Sequence, residues 1–151
     1  MLLSTASGGE YWTSIRLIKL YESACRGREE KPRLGIVRAL QALPAAPKPR
    51  TVHLVLHEVP HSSYPAPYPL DHPLTRYAAE ALADLLTVEW ALTDLRLERG
   101  VLETEDALKP ILHALLISGT LPNLSLAGNR KIKAGGWRLV SVFLKRVRCL
   151  I

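Results

Sequence analysis

The feature that most constrains this chain is a spacing of leucines that occurs twice, 29 residues apart. The fuller copy is Leu121-x-x-Leu124-x-Leu126-x-x-Asn129, and the earlier copy is Leu92-x-x-Leu95-x-Leu97. Within each copy the last two leucines are two residues apart, the side-chain period of an extended strand, so they share one face. Asn129 follows where the chain must bend, and a side-chain amide there can satisfy backbone groups with its carbonyl and its NH2. Leu54-x-Leu56 reads as a third, degenerate copy. It lies 41 residues before Leu95, and the proline-rich stretch 61–73 supplies an insertion of about the excess.

Between these copies the apolar period changes from two to that of a helix. Residues 11–30 read as a helix with Ile15, Ile18, Tyr21 and Cys25 on one face, ended by Gly27 and Pro32. A second short helix runs from Leu34 to Leu43. Residues 51–59 alternate as a strand, with Val52, Leu54 and Leu56 on one face and His53, Val55 and His57 on the other. His61 to Pro73 carries four prolines and reads as a loop, part of it polyproline II. Residues 74–90 predict a helix burying Leu74, Ala78, Ala81, Leu82, Leu85 and Val88. Strands are expected at 92–98 and 121–127. Helix 104–118, with Thr104 as N-cap and Gly119 as stop, buries Leu108, Ile111, Leu112 and Leu115. Helix 134–148 places Trp137, Val140, Leu144 and Val147 on one side with Phe143 beside them.

Strand and helix therefore alternate, and the repeat length selects one α/β architecture. The template LxxLxLxxN and its 29-residue period fit a leucine-rich repeat solenoid of the ribonuclease-inhibitor-like kind, with short parallel strands and convex helices. Leu92, Leu95, Leu97, Leu121, Leu124, Leu126 and Asn129 are its structural positions. The expected organisation is a flexible stretch 1–10, a helical N-terminal cap 11–50, and about three repeats over 51–151 with an insertion at 61–73. One repeat cannot bury its own face, so neighbours must stack. Nothing in the sequence caps the last helix, which predicts a front piece of a longer array and self-association through its uncapped edge.

Charge is unevenly distributed. The net charge is +3 over residues 1–73, −4 over 74–126 and +7 over 127–151. The final block holds Arg130, Lys131, Lys133, Arg138, Lys145, Arg146 and Arg148. Such a block can meet nucleic acid, but no aromatic residues interleave with it as single-strand binding requires, so it reads as a solvated helix face with its preceding loop. Cys25 and Cys149 stand far apart with no CxxC spacing and read as reduced thiols of a cytoplasmic or nuclear protein.

The chemistry-bearing motifs that would mark an enzyme are missing. The sequence contains no GxSxG, no GxGxxG and no GxxxxGK[ST]. His53, His57 and His61 recur every four residues, but on a strand and loop rather than a helix, and without a cysteine or carboxylate cluster to complete a metal site. They read as exposed polar positions, and no cofactor is expected. Tyr64 to Pro69 reads as a surface insertion. The expected function is protein binding by the strand residues that face away from the leucines: Val55, His57, Asp94, Arg96, Glu98, Asn123, Ser125 and Ala127.

The order of features also resembles a known family. Ile18, Tyr21, Ala24, Cys25 and Pro32 match its first helix. Leu124-Ser125-Leu126-Ala127-Gly128-Asn129, followed by Ile132, Gly136 and Trp137, match a later run. On these residues the chain resembles the leucine-rich protein phosphatase 1 regulatory subunit 37 family and its fungal relatives. The resemblance implies a non-enzymatic regulator that binds the catalytic subunit of the type-1 serine/threonine phosphatase. The family docks through a basic-Val-x-Phe motif. The nearest run here, Arg138 to Phe143, is one residue out of register. Two other readings stand beside this one: a leucine-rich regulator of a small GTPase, and a nucleic-acid-binding fragment using the basic end.

Overall fold

The structure, a computed structural model, describes residues 12–45, 48–56, 67–118 and 122–150, with residues 148–150 as backbone only. Its elements are α1 (Ser14–Gly27), α2 (Leu34–Gln41), β1 (Arg50–Val55), β2 (Tyr68–Pro69), α3 (Arg76–Leu85), β3 (Leu92–Glu98), α4 (Glu105–Ser118), β4 (Asn123–Ser125) and α5 (Ala134–Leu150). The four strands form one parallel sheet in the order β2-β1-β3-β4. Helices α1, α3, α4 and α5 pack side by side in that sequence, and α2 lies against β1 and β2. The protein is thus an α/β chain in which each of the strand-to-strand steps β1 to β3 and β3 to β4 includes a helix.

Residues 29 apart become direct neighbours across β3 and β4: Asp94 opposes Asn123, Leu95 opposes Leu124, and Arg96 opposes Ser125. The spacing that dominates the sequence is the register of this strand pair. Between β1 and β3 the sequence reading was two residues out. Val52 and Leu54, not Leu54 and Leu56, lie against Leu95 and Leu97. A slip of two leaves every side chain on its original face, so alternation cannot detect it.

The core is one continuous cluster between sheet and helices. Val52, Leu54, Leu95 and Leu97 meet Leu82 and Leu85 from α3 and Leu108, Ile111 and Leu115 from α4. Helix α3 starts where Thr75 accepts a hydrogen bond from the Ala78 amide at 3.3 Å. Helix α4 starts at Glu105, immediately after the expected Thr104 cap, with Glu105 and Asp106 in its first turn. Helix α1 departs from expectation: Leu17, Tyr21, Ala24 and Cys25 are buried, and Ile15 faces solvent. Tyr21 and Cys25 keep their predicted places, but Leu17, two positions after Ile15, takes the buried place at the start of the stripe.

The proline-rich stretch is not all loop. Tyr68 and Pro69 form an edge strand on β1, where the Leu70 amide donates to the Val55 carbonyl at 2.7 Å. In this parallel ladder Val55 bonds to the residues flanking Pro69, so the nitrogen that lacks a hydrogen points away from β1, which an edge strand tolerates. Gly35 lets α2 approach this strand. A Cβ there would lie 2.4 Å from the Pro69 carbonyl oxygen.

Two buried arginines were not anticipated. Arg50 donates to the carbonyls of Pro44 at 2.9 Å, Trp12 at 2.6 Å and Trp90 at 3.2 Å. Arg33 donates to the carbonyls of Lys31, His72 and Pro73. Each holds carbonyls of segments that lie outside the helices and the ladder, as buried backbone groups require. The Arg33 amide in turn donates to the Tyr21 hydroxyl at 2.8 Å. Burial pushes both the Tyr21 phenol and the Cys25 thiol above their ordinary values. A buried thiol so shifted is a packing group rather than a nucleophile.

The far side of α5 also differs from expectation. Phe143 is buried, but Trp137 and Leu144, predicted as core, are about half exposed at 49% and 53%. Leu124 and Leu126 are only partly buried, while Leu95 and Leu97, their neighbours in the preceding strand, are wholly buried. Leu124, Leu126, Trp137, Phe143 and Leu144 line a cleft of about 650 Å3 along the β4 edge of the described sheet. The expected core position of Trp137 needs a neighbour on that side, and among the described residues there is none.

Candidate protein-interaction face

Alternation in the strands sends Leu95 and Leu97 towards the helices and Asp94, Arg96 and Glu98 to the opposite face of the sheet. The register then builds cross-strand rows. Thr51, Asp94 and Asn123 form one row, His53, Arg96 and Ser125 the next, and Val55 and Glu98 a third. Five of the eight residues expected on this face, Asp94, Arg96, Glu98, Asn123 and Ser125, are brought together there. Ala127 follows as an exposed residue.

Val55 is a correction. It shares the face but is wholly buried, so it offers nothing to a partner. It pairs with Pro69 on one side and Glu98 on the other. His57, the remaining expected residue, and His61 lie outside the described residues, as does Leu121. His53 is a second correction, since it was read as an exposed polar position and is only 5% exposed.

Two carboxylates organise the face. Asp94 accepts hydrogen bonds from Asn123 Nδ2 at 3.1 Å, Thr93 Oγ1 at 3.2 Å and Thr51 Oγ1 at 3.4 Å. Glu98 accepts from His53 Nε2 at 2.8 Å through one oxygen and from the Ser125 hydroxyl through the other. The Glu98 side chain is itself mostly buried. A serine, a histidine and an acid therefore meet, but the acid stands in the middle. Nucleophilic catalysis requires the imidazole to bond the hydroxyl and the acid to orient the imidazole. Here both bond to the carboxylate, an order that fixes side chains in place across three strands. The participation of His53 had one sequence signal, its place on the same alternating face as Val55.

Asn129 behaves as its spacing predicts. It is buried, donates from Nδ2 to the carbonyls of Leu97 at 2.6 Å and Leu126 at 2.8 Å, and accepts from the Leu102 amide at 3.1 Å. Its amide fastens the exits of β3 and β4 to each other. The Arg99 and Gly100 turn beside it, both with positive φ, and Gly128 complete the bend.

Among the described residues the basic block is divided. Arg130 and Lys131 line a cleft at the carboxyl ends of the strands with Arg99, Glu98 and Glu103. Lys133 is exposed, and its amide donates to Glu105 Oε1 at 3.0 Å. Lys145 and Arg146 are exposed on α5, and Arg146 lines a groove on the outside of the helical layer. The side chain of Arg148 lies outside the described residues. Among the described residues no group of three histidine, cysteine or acidic side chains is placed to hold a metal ion. No described helix is long and apolar enough to cross a membrane.

Compared with protein families, with curated proteins and with solved structures, the chain matches none.

Proposed function

We propose that this chain is a non-enzymatic protein-binding module built on the leucine-rich repeat plan, and that the open face of its sheet receives the partner. The observation that carries the reading is the polar, cross-braced surface of Asp94, Arg96, Glu98, Asn123 and Ser125 spread over β3 and β4. Such a surface is held rigid before a partner arrives, which lowers the ordering cost of binding. The repeat plan is supported by the register of residues 29 apart, by the bridging amide of Asn129, and by the row of helices α1, α3, α4 and α5. The partner proposed is the catalytic subunit of a type-1 serine/threonine phosphatase, on the strength of the family resemblance.

The experiment is a titration of the purified phosphatase catalytic subunit against the chain and against Asp94→Lys and Arg96→Glu, read by calorimetry and by inhibition of phosphatase activity. Binding weakened about tenfold by each charge reversal, as for charged groups within an interface, supports the reading. Binding that ignores both substitutions, or an absence of binding, removes it. The small-GTPase reading draws on no particular feature of the geometry. The nucleic-acid reading is weakened because the basic block divides between the sheet's carboxyl edge and the outside of α5.

A further inference from the structure

The outside of the helical layer carries a second surface, and we infer that it docks an acidic amphipathic helix of a protein partner. A groove of about 620 Å3 runs over α4 between α3 and α5. Its apolar floor includes Leu112, Leu116 and Ile117 from α4 with Leu139 and Val142 from α5. Ile117 is 61% exposed and Val142 45% exposed. Isolated exposed aliphatic residues are ordinary, but here they are contiguous along one channel rimmed by charge, which is how docking surfaces are built.

The rim determines the charge of the occupant. It carries Arg28, Arg76, Lys109 and Arg146 against the carboxylates of Glu80 and Asp84. Both carboxylates are already engaged. Arg28 donates to the two oxygens of Asp84 at 3.0 and 3.3 Å and to Glu80 at 3.4 Å, and Arg76 donates to Glu80 at 3.3 Å. Lys109 has an exposed pairing with Asp106 at 3.5 Å, of a kind worth roughly 0–1 kcal/mol and readily exchanged. Arg146 has no ion-pair partner among the described residues. The surplus around the apolar floor is positive.

Length selects a helix as the occupant. From Lys109 to Ile117 helix α4 rises about 12 Å. A helix presenting apolar side chains at i, i+3 or i+4, and i+7 covers the same distance and can place acidic residues beside Lys109 and Arg146. This surface lies on the helices, away from the open sheet face, so it stands or falls independently of the reading given above.

The test is fluorescence anisotropy of a labelled peptide of about 14 residues with leucines at those spacings and glutamates on both flanks, titrated with the full chain. A second peptide replaces each glutamate by lysine, and phosphatidylserine vesicles form a third arm. Saturable binding of the glutamate peptide is expected, weakened roughly tenfold by Arg146→Glu and by Ile117→Asp, with no binding of the lysine peptide. Both substituted side chains are exposed, and circular dichroism checks that the variants stay folded. The inference is overturned by no binding of the glutamate peptide, by equal binding of both peptides, or by affinity that neither substitution changes. Vesicle binding lost in Arg146→Glu without peptide binding would reassign the groove to a membrane surface and equally overturn it.

Discussion

Asn129 donates its side-chain amide to the Leu97 carbonyl at 2.6 Å, joining a residue of the β4 exit to the end of β3. Two more bonds, to the Leu126 carbonyl and from the Leu102 amide, use its second donor hydrogen and engage its carbonyl oxygen. Asn129→Ala leaves buried backbone groups without partners and is expected to cost about 3 kcal/mol, given ~1–3 kcal/mol for such orphaned groups. Asn129→Asp keeps the acceptor but loses both donors and buries a carboxylate, so it should be no better. Urea unfolding midpoints of the three proteins check this. A loss under about 0.5 kcal/mol in Asn129→Ala would mean that water replaces the amide.

Glu98 couples β1 to β4 through β3 by binding His53 and Ser125 at once. Glu98→Ala and Ser125→Ala should then be non-additive. A double-mutant cycle is expected to return a coupling of about 1 kcal/mol, in the range for residues that share one hydrogen-bonded network. Additive losses would show that the carboxylate contributes nothing through Ser125.

Helix α2 rests on β2 at Gly35, where an added Cβ would fall 2.4 Å from the Pro69 oxygen and 2.8 Å from a Leu70 methyl carbon. The oxygen is backbone and cannot swing aside. Gly35→Ala is expected to destabilise by about 1–3 kcal/mol, the usual cost of overpacking. At Gly27 a Cβ meets nothing within 4 Å. Gly27→Ala should therefore be neutral or stabilising by up to ~1 kcal/mol. Thermal melts of the pair test the contrast within one protein.

Tyr21 makes stability depend on alkaline pH. Burial raises its phenol above the ordinary value near 10, so the folded state holds this proton more tightly than the unfolded chain does. The sign follows: this contribution is complete below about pH 10 and is lost as pH rises beyond the unfolded phenol's value. Tyr21→Phe removes the titration together with the acceptor for the Arg33 amide. Between about pH 9 and pH 11 the variant's urea midpoint should fall less steeply than that of the parent chain. Parallel slopes would show that Tyr21 ionises without unfolding.

Much of the fold was legible because its information is local. The leucine spacing located β3, β4 and the bend at Asn129. Period-two alternation assigned Asp94, Arg96, Glu98, Asn123 and Ser125 to one face, and helical periodicity found the buried sides of α3 and α4. These follow from backbone geometry that each segment carries alone.

What the tertiary structure decided concerns neighbours. Alternation placed His53 and Val55 on the open face, but only the packing around β1 made them buried. It could not distinguish Leu54 from Val52 as the partner of Leu95, since both point the same way. Trp137 and Leu144 have core spacing, yet a residue becomes core only when another element covers it. The basic block is contiguous along the chain and divided in space, because the turn before α5 leaves Arg130 and Lys131 at the strand ends while the helix carries Arg146 to the outer layer. Arg33 and Arg50 became clamps because distant segments brought unpaired carbonyls to them. A sequence determines which face a side chain takes. What lies against that face depends on contacts between segments far apart in the chain, and those contacts set burial, pairing and surface charge.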